Sequence, residues 1–189
     1  MTAAGTFRVG HGWDLHRLEE RPPAGRGRAL VIGGVHLTGD GGAGSGGAGS
    51  GGVGDRGAGE RGPVARSDGD VLLHALTDAL LGALGMPDIG QLFPDTDEAN
   101  EGRDSAEFVA EAVRRVRGAG WRVENVDATV ILQRPKLGPV KERVRGRVAG
   151  LLGVEQWRVN VKGKTHESVD ATGEGRAVQA HVVVLLARA

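Results

Sequence analysis

The residues of this chain best suited to chemistry are Asp14 and His16, in Gly12-Trp13-Asp14-Leu15-His16, and His74, at the end of Ser67-Asp68-Gly69-Asp70-Val71-Leu72-Leu73-His74. A carboxylate and two imidazoles, in a chain without cysteine, are the ligand types of an open zinc site. In an extended segment residues two apart project from one face, so Asp14 and His16 can reach the same ion. A third ligand from a distant helix closes three sides. The fourth position is then left for water or a substrate oxygen, as in catalytic rather than structural zinc sites. Asp-x-His is a short pattern and by itself more often a surface pairing; its weight comes from what surrounds it.

The surrounding elements follow from periodicity and punctuation. Phe7 to Leu18 and Ala29 to Leu37 read as a first strand region. Between Gly39 and Gly62 about half the residues are glycine, too little apolar surface to offset the entropy of ordering, which predicts a flexible surface loop. The segment lacks the G-x-x-x-x-G-K-[ST] pattern of a phosphate-binding loop. From Ser67 the pattern turns helical, with Ser67 or Asp68 as cap and Val71, Leu72, Ala75, Leu76, Ala79 and Leu80 at helical spacing until Gly82 and Gly85. Asp70, His74 and Asp78 lie four apart along one side of this otherwise apolar helix, and a buried ionisable row needs a partner such as a metal.

After a loop from Met86 to Gly102, Ser105 can cap a second helix with Phe108, Val109, Ala112, Val113 and Val116 as its stripe, ended by Gly118 and Gly120. Trp121 to Gln133 reads as a strand. Pro139 suits the first turn of a third helix, with Val140, Val144, Val148, Leu151 and Leu152 inward and the basic run of Lys141, Arg143, Arg145 and Arg147 outward. Val159 to Lys164 and Ala177 to Leu186 supply two more strands. This order predicts an α+β domain, helices covering one face of a mixed sheet, whose other face is left for a small oligomer to bury.

The totals fit that picture. The 189 residues suit a single domain carrying the glycine-rich insert, and 39% hydrophobic content supports an ordinary core, built from Val, Leu, Ala and Ile because only 3% is aromatic. A formal net charge of zero gives no general attraction to nucleic acid or an anionic membrane. Without cysteine there is no disulfide framework, thiolate site or cysteine nucleophile. No leader pattern and no apolar run of about 18 residues occurs, so the chain is expected to be soluble and cytoplasmic.

Six blocks in order resemble the 2-C-methyl-D-erythritol 2,4-cyclodiphosphate synthase family: Val9 to His16, Ile32-Gly33-Gly34-Val35, Ser67 to Gly82, Asp88-Ile89-Gly90 with Phe93-Pro94-Asp95-Thr96-Asp97, Gln133-Arg134-Pro135-Lys136-Leu137, and Val159-Asn160-Val161-Lys162. The resemblance implies a homotrimer packing its sheets around a threefold axis, with sites at subunit interfaces. Each chain would hold one zinc through Asp14, His16 and His74. A magnesium or manganese ion would be bound through the substrate phosphates and Glu167. The reaction implied is metal-assisted: the 2-phosphate of a CDP-linked methylerythritol attacks the β-phosphate of its own diphosphate bridge and CMP leaves. Alternatives of other kinds are the same ring closure on a different CDP-linked phosphate, and a non-catalytic cytidine-nucleotide binder.

Carried over by position, Arg66, Thr165 and Glu167 are the catalytic candidates. Asp14, His16, Arg66, Ser67, Asp88, Gly90, Phe93, Asp95 and Asp97 fall on the ribose, methylerythritol and phosphate side. Leu132, Pro135, Lys136 and Leu137 form the cytidine pocket, and Lys164, Thr165, His166 and Glu167 the phosphate segment. The chain departs from the pattern in four ways. Arg66 stands where the family usually has histidine, Lys164 and His166 replace threonines, and Ala171 replaces an aromatic. Glu174 and Arg176 reverse an Arg-x-Glu; residues two apart on a strand share a face, so the exchange reads as a compensated pair.

Overall fold

The computed structural model describes residues 6–37, 61–94 and 96–189. Most of the expected flexible segment lies outside them. Its last two residues are strand rather than loop: Arg61–Pro63 (β4) pairs antiparallel with the end of the long strand Phe7–Glu20 (β1), Glu19 opposite Gly62. The strand expected over 29–37 is a hairpin, Val31–Ile32 (β2) and Val35–His36 (β3), because Gly33 and Gly34 both take left-handed backbone, φ +60° and +72°.

Trp121–Ile131 (β5), Val159–Lys164 (β6) and Ala177–Arg188 (β7) complete a mixed sheet of order β4-β1-β7-β5-β6, in which only β5 and β6 run parallel. Three helices, Val71–Leu84 (α1), Ser105–Gly118 (α3) and Lys141–Leu152 (α4), lie on one face, against β1 and β7, β5, and β6 respectively. The core is the seam between them, where Leu72, Leu76, Leu80, Val109, Val144, Val182 and Val184 are buried. Two one-turn helices complete the described elements: Ile89–Leu92 (α2), within the expected loop from Met86 to Gly102, and Asp170–Gly173 (α5), after β6. They are too short to carry a periodic signal.

The caps differ from expectation by a few residues. Asp70, not Ser67 or Asp68, caps α1 by accepting from Leu72 N and Leu73 N, and Asp104, not Ser105, caps α3 by accepting from Ala106 N. Gly82 is helical, and Gly85, at φ +69°, is the C-cap of α1.

Alternation along β1 and β7 places Phe7, Val9, Trp13, Leu15 and Val183 on the face away from the helices, each 42–66% exposed. That is the uncovered face foreseen in the sequence. No described helix is long and apolar enough to cross a membrane.

Candidate metal centre and substrate site

Strand β1 can approach α1 closely because it carries glycine where the two backbones meet. A Cβ on Gly10 would stand 1.9 Å from the Ala79 carbonyl oxygen, and one on Gly12 1.9 Å from that of Ala75. The next two residues on that face are Asp14 and His16. One turn along α1 from its cap, His74 projects to meet them.

Asp14 Oδ2, His16 Nε2 and His74 Nδ1 form a triangle with sides of 3.0, 3.0 and 3.1 Å. Tetrahedral zinc with ligands at about 2.0–2.1 Å needs ligand atoms about 3.3–3.4 Å apart. The cluster is within a few tenths of an ångström of that span and fits a divalent cation. Protonation states agree. Burial raises the Asp14 carboxyl, but the hydrogen bond with His74 and the fields of both histidines outweigh it and hold it below the ordinary range. Burial keeps the His16 imidazole below its usual value, hence neutral and able to ligate.

Behind His74 stands a directed relay. Its Nε2 lies 2.8 Å from Ser105 Oγ and 3.1 Å from Ser67 Oγ, and the Ser105 hydroxyl donates to Asp68, which also accepts from Ser105 N at 3.1 Å. Nε2 can therefore donate to Ser105 Oγ; without a cation Nδ1–H donates to Asp14 Oδ2, and a cation bound in the triangle would take the place of that Nδ1 proton. Sequence reasoning read Ser105 and Asp68 as helix caps and missed this role. A Ser-Asp-Gly-Asp run with more acceptors than one cap requires was the available signal.

The expected ionisable row on α1 does not hold. Asp70 is fully buried and accepts from Gly33 N at 2.9 Å and Gly34 N at 2.6 Å, tying the β2–β3 turn to the helix start. Burial pushes its carboxyl up to about 6. Asp78 accepts from Ile89 N at 2.8 Å, and its carboxyl is raised by burial, with Asp88 adding to the effect. Only His74 of the three turns to the metal, because backbone N–H groups satisfy the other two.

A pocket of about 190 Å³ opens beside the triangle, lined by His16, Arg66, Ser67, His74, Gly90 and Phe93 among others. Phe93 packs on Phe108 with centroids 4.6 Å apart, and Arg103 lies over both rings. Arg66 Nε is 3.2 Å from Glu101. Asp88 and Asp97 cap their own short helices, accepting from Gln91 N and Ala99 N. Asp95 lies outside the described residues.

The remaining predicted residues gather elsewhere. Leu132 N donates to the Lys164 carbonyl at 3.0 Å, buried Leu137 sits against Gly163, and Pro135 follows a cis bond from Arg134. Lys136 is exposed. Lys164 ends β6, and after Thr165 and His166 the chain turns through left-handed backbone at Glu167, Ser168 and Asp170, φ +49°, +68° and +62°. His166 Nδ1 is 2.9 Å from Asp170 Oδ2, and this contact, with the amides of Gly173 and Thr172, holds the Asp170 carboxyl below its ordinary range. Glu174 and Arg176 form an ion pair, Nε 2.6 Å from Oε2.

Strand β7 lies between β1 and β5, and both β7 and β5 lie between β1 and β6. At about 4.8 Å per strand, β5 and β6, from which residues 132–137 and 165–167 continue, stand roughly 10–14 Å from β1. Among the described residues no hydrogen bond or ion pair joins the two groups.

Comparison with known proteins gives the same assignment along the chain. The YgbB family model matches residues 51–187. The 2-C-methyl-D-erythritol 2,4-cyclodiphosphate synthase of Azoarcus sp. is 44% identical over 97% of both chains. The chloroplastic enzyme of that name from Catharanthus roseus is 50% identical over 97% of this chain, which spans 66% of its length. A solved 2C-methyl-D-erythritol-2,4-cyclodiphosphate synthase in CDP-bound form superposes with a TM-score of 0.75 at 37% identity, covering 95% of this chain and 99% of that one. IspF of Plasmodium falciparum, in complex with CDP, gives 0.75 at 27% identity over 98% and 99%. With sequence, fold and metal triangle in agreement, the chain belongs to the YgbB family, the relatives of which include these cyclodiphosphate synthases.

Proposed function

We propose that this protein converts 4-CDP-2-C-methyl-D-erythritol 2-phosphate to 2-C-methyl-D-erythritol 2,4-cyclodiphosphate and CMP. The observation that carries the reading is the Asp14–His16–His74 triangle, open on the side of the adjoining pocket, in a chain whose structural neighbours bind CDP. In the reaction a 2-phosphate oxygen bonds to the β-phosphorus, the bond from that phosphorus to the bridging oxygen breaks, and CMP leaves with the electron pair. Phosphoryl transfer of this kind needs positioning and charge neutralisation rather than a covalent protein intermediate.

Asp14, His16 and His74 would hold a zinc ion, and Glu167 would help hold magnesium or manganese; when bound, these would supply Lewis-acid polarisation of a phosphate oxygen and offset charge on the bridge. Ser67 and Arg66 line the metal side and offer donors to phosphate oxygens. Asp88 and Gly90, with Phe93 to Asp97, form the wall for the ribose and polyol. Leu132, Pro135, Lys136 and Leu137 receive the cytosine, with Lys164, Thr165 and His166 at the phosphates.

Because these two groups are separated within one chain, a second copy brings them together. The exposed row of Phe7, Val9, Trp13, Leu15 and Val183 is the surface such an assembly buries, and a homotrimer around a threefold axis is the arrangement we propose. Incubating zinc-loaded protein with the CDP-linked substrate and magnesium, and following CMP by chromatography, tests the reaction. CMP release that disappears in Asp14→Ala is the expected result; fully zinc-loaded trimer that releases no CMP overturns the proposal.

A further inference from the structure

We propose that Glu101 is a positioning residue for Arg66, its carboxylate pairing with the guanidinium on the Nε side so that the two Nη groups are left to clamp a phosphate beside the metal triangle. The inference rests on the function proposed above. Arg66 lines the same pocket as His16 and His74, and its Nε lies 3.2 Å from Glu101 Oε2. Among the described residues, no other hydrogen bond or ion pair engages its guanidinium. A guanidinium is a planar fork that remains charged, and its Nη edge matches two oxygens of one phosphate.

The grip is built rather than incidental. Glu101 Oε1 is taken by Arg28, which also donates Nε to the Ala65 carbonyl at 2.9 Å and Nη2 to the Arg66 carbonyl at 3.1 Å. Gly102 N donates to the same Arg66 carbonyl at 2.8 Å. The segment carrying Glu101 is fixed in turn by buried Asn100, whose Nδ2 donates to the Pro94 carbonyl at 2.8 Å. Arg28 thus joins the two segments that face each other across the pocket mouth, and the carboxylate between two guanidinia orients both. The long arginine side chain loses rotamer freedom on binding unless something holds it beforehand.

Zinc-loaded protein, titrated calorimetrically with CDP, CMP and inorganic pyrophosphate, tests this in Glu101→Ala, Glu101→Gln, Arg66→Ala and the Arg66→Ala/Glu101→Ala double variant. Losing one oriented charge-assisted contact corresponds to about 10-fold in affinity. Glu101→Ala is expected to weaken CDP and pyrophosphate by that factor and leave CMP, zinc content and melting temperature unchanged. Glu101→Gln retains the carbonyl oxygen but not the charge, and is expected to fall between wild type and Glu101→Ala. In the Arg66→Ala background, Glu101→Ala is expected to add nothing.

A Glu101→Ala protein that binds pyrophosphate as tightly as wild type, or more tightly, would make the carboxylate a bystander or a competitor for Arg66 and overturn the inference. An undiminished effect in the Arg66→Ala background overturns it too. Wild-type protein that binds pyrophosphate but neither nucleotide instead refutes the proposed function, and the pyrophosphate arm still decides the role of Glu101.

Discussion

The metal triangle and the turn from Gly163 to Arg176 are positioned by opposite means. At the triangle, space is the constraint: β1 and α1 touch backbone to backbone at Gly10 and Gly12, and the ligands emerge from regular strand and helix. At the turn, conformation is the constraint: Glu167, Ser168 and Asp170 take left-handed backbone that non-glycine residues avoid, held by short local contacts. A cation demands fixed distances, which regular elements locked in a core supply. Backbone of that kind costs about 1–3 kcal/mol for each disfavoured residue, and the role proposed for the turn, several donors along a curved path for phosphates, would account for keeping it.

If that contrast is right, the largest effect comes from adding one methyl at the close contact. Gly12→Ala is expected to destabilise the fold by about 3 kcal/mol or more, since the new carbon meets backbone that cannot rotate away. Thermal unfolding, with zinc content measured alongside, checks this. Wild-type stability would mean that β1 and α1 have room to separate. Ser168→Gly in the turn is expected instead to leave the melting temperature unchanged or raise it, because glycine favours φ +68°.

A similar magnitude attaches to Asp70, through pH. Its folded carboxyl is raised to about 6, so the folded state binds the proton more tightly than the unfolded chain. The stability this contributes is complete below about pH 4 and is lost as pH rises through about 6, about 3 kcal/mol in all. In chelator-treated protein, the urea midpoint of wild type is expected to fall over this window relative to Asp70→Asn, which has no carboxyl to titrate. Parallel curves would show that the backbone N–H groups fully offset burial.

Ser105→Ala comes next. Removing the hydroxyl that takes the His74 Nε2 proton is expected to weaken zinc binding about 10- to 100-fold by competition with a chelator, without unfolding the chain. The smallest effect belongs to the turn's surface pair: exchanging Glu174 and Arg176 for each other is expected to change stability by under about 1 kcal/mol, because both are half-exposed. A larger loss on urea unfolding would place this pair in an interface between copies.

The helices and the long strands could be read from the sequence, since each rests on a local rule: spacing of two on β1, of three and four on α1, and glycine or proline at the ends; the candidate triad of Asp14, His16 and His74 needed a family resemblance as well. The row of Asp70, His74 and Asp78 shows where that reasoning stops. Periodicity put all three on one side of the helix, but what each side chain meets there depends on segments far away in the chain. Gly33 and Gly34 claim Asp70, and Ile89 claims Asp78.

By itself the sequence determined which chemistry is available, because residue types and short-range spacing limit the ligands a strand or helix can present. It also determined that one sheet face would stay apolar and uncovered. Tertiary structure alone decided that Ser105 and Asp68 stand behind His74 Nε2, that Glu101 pairs with both Arg28 and Arg66, and that residues 132–137 follow a strand two places from β1. Those relations include pairs 31, 37, 38 and 73 positions apart, namely Ser105 with His74, Asp68 with Ser105, Arg28 with Arg66 and Arg28 with Glu101. No local pattern encodes such pairs; they come into being only when the helices pack on the sheet.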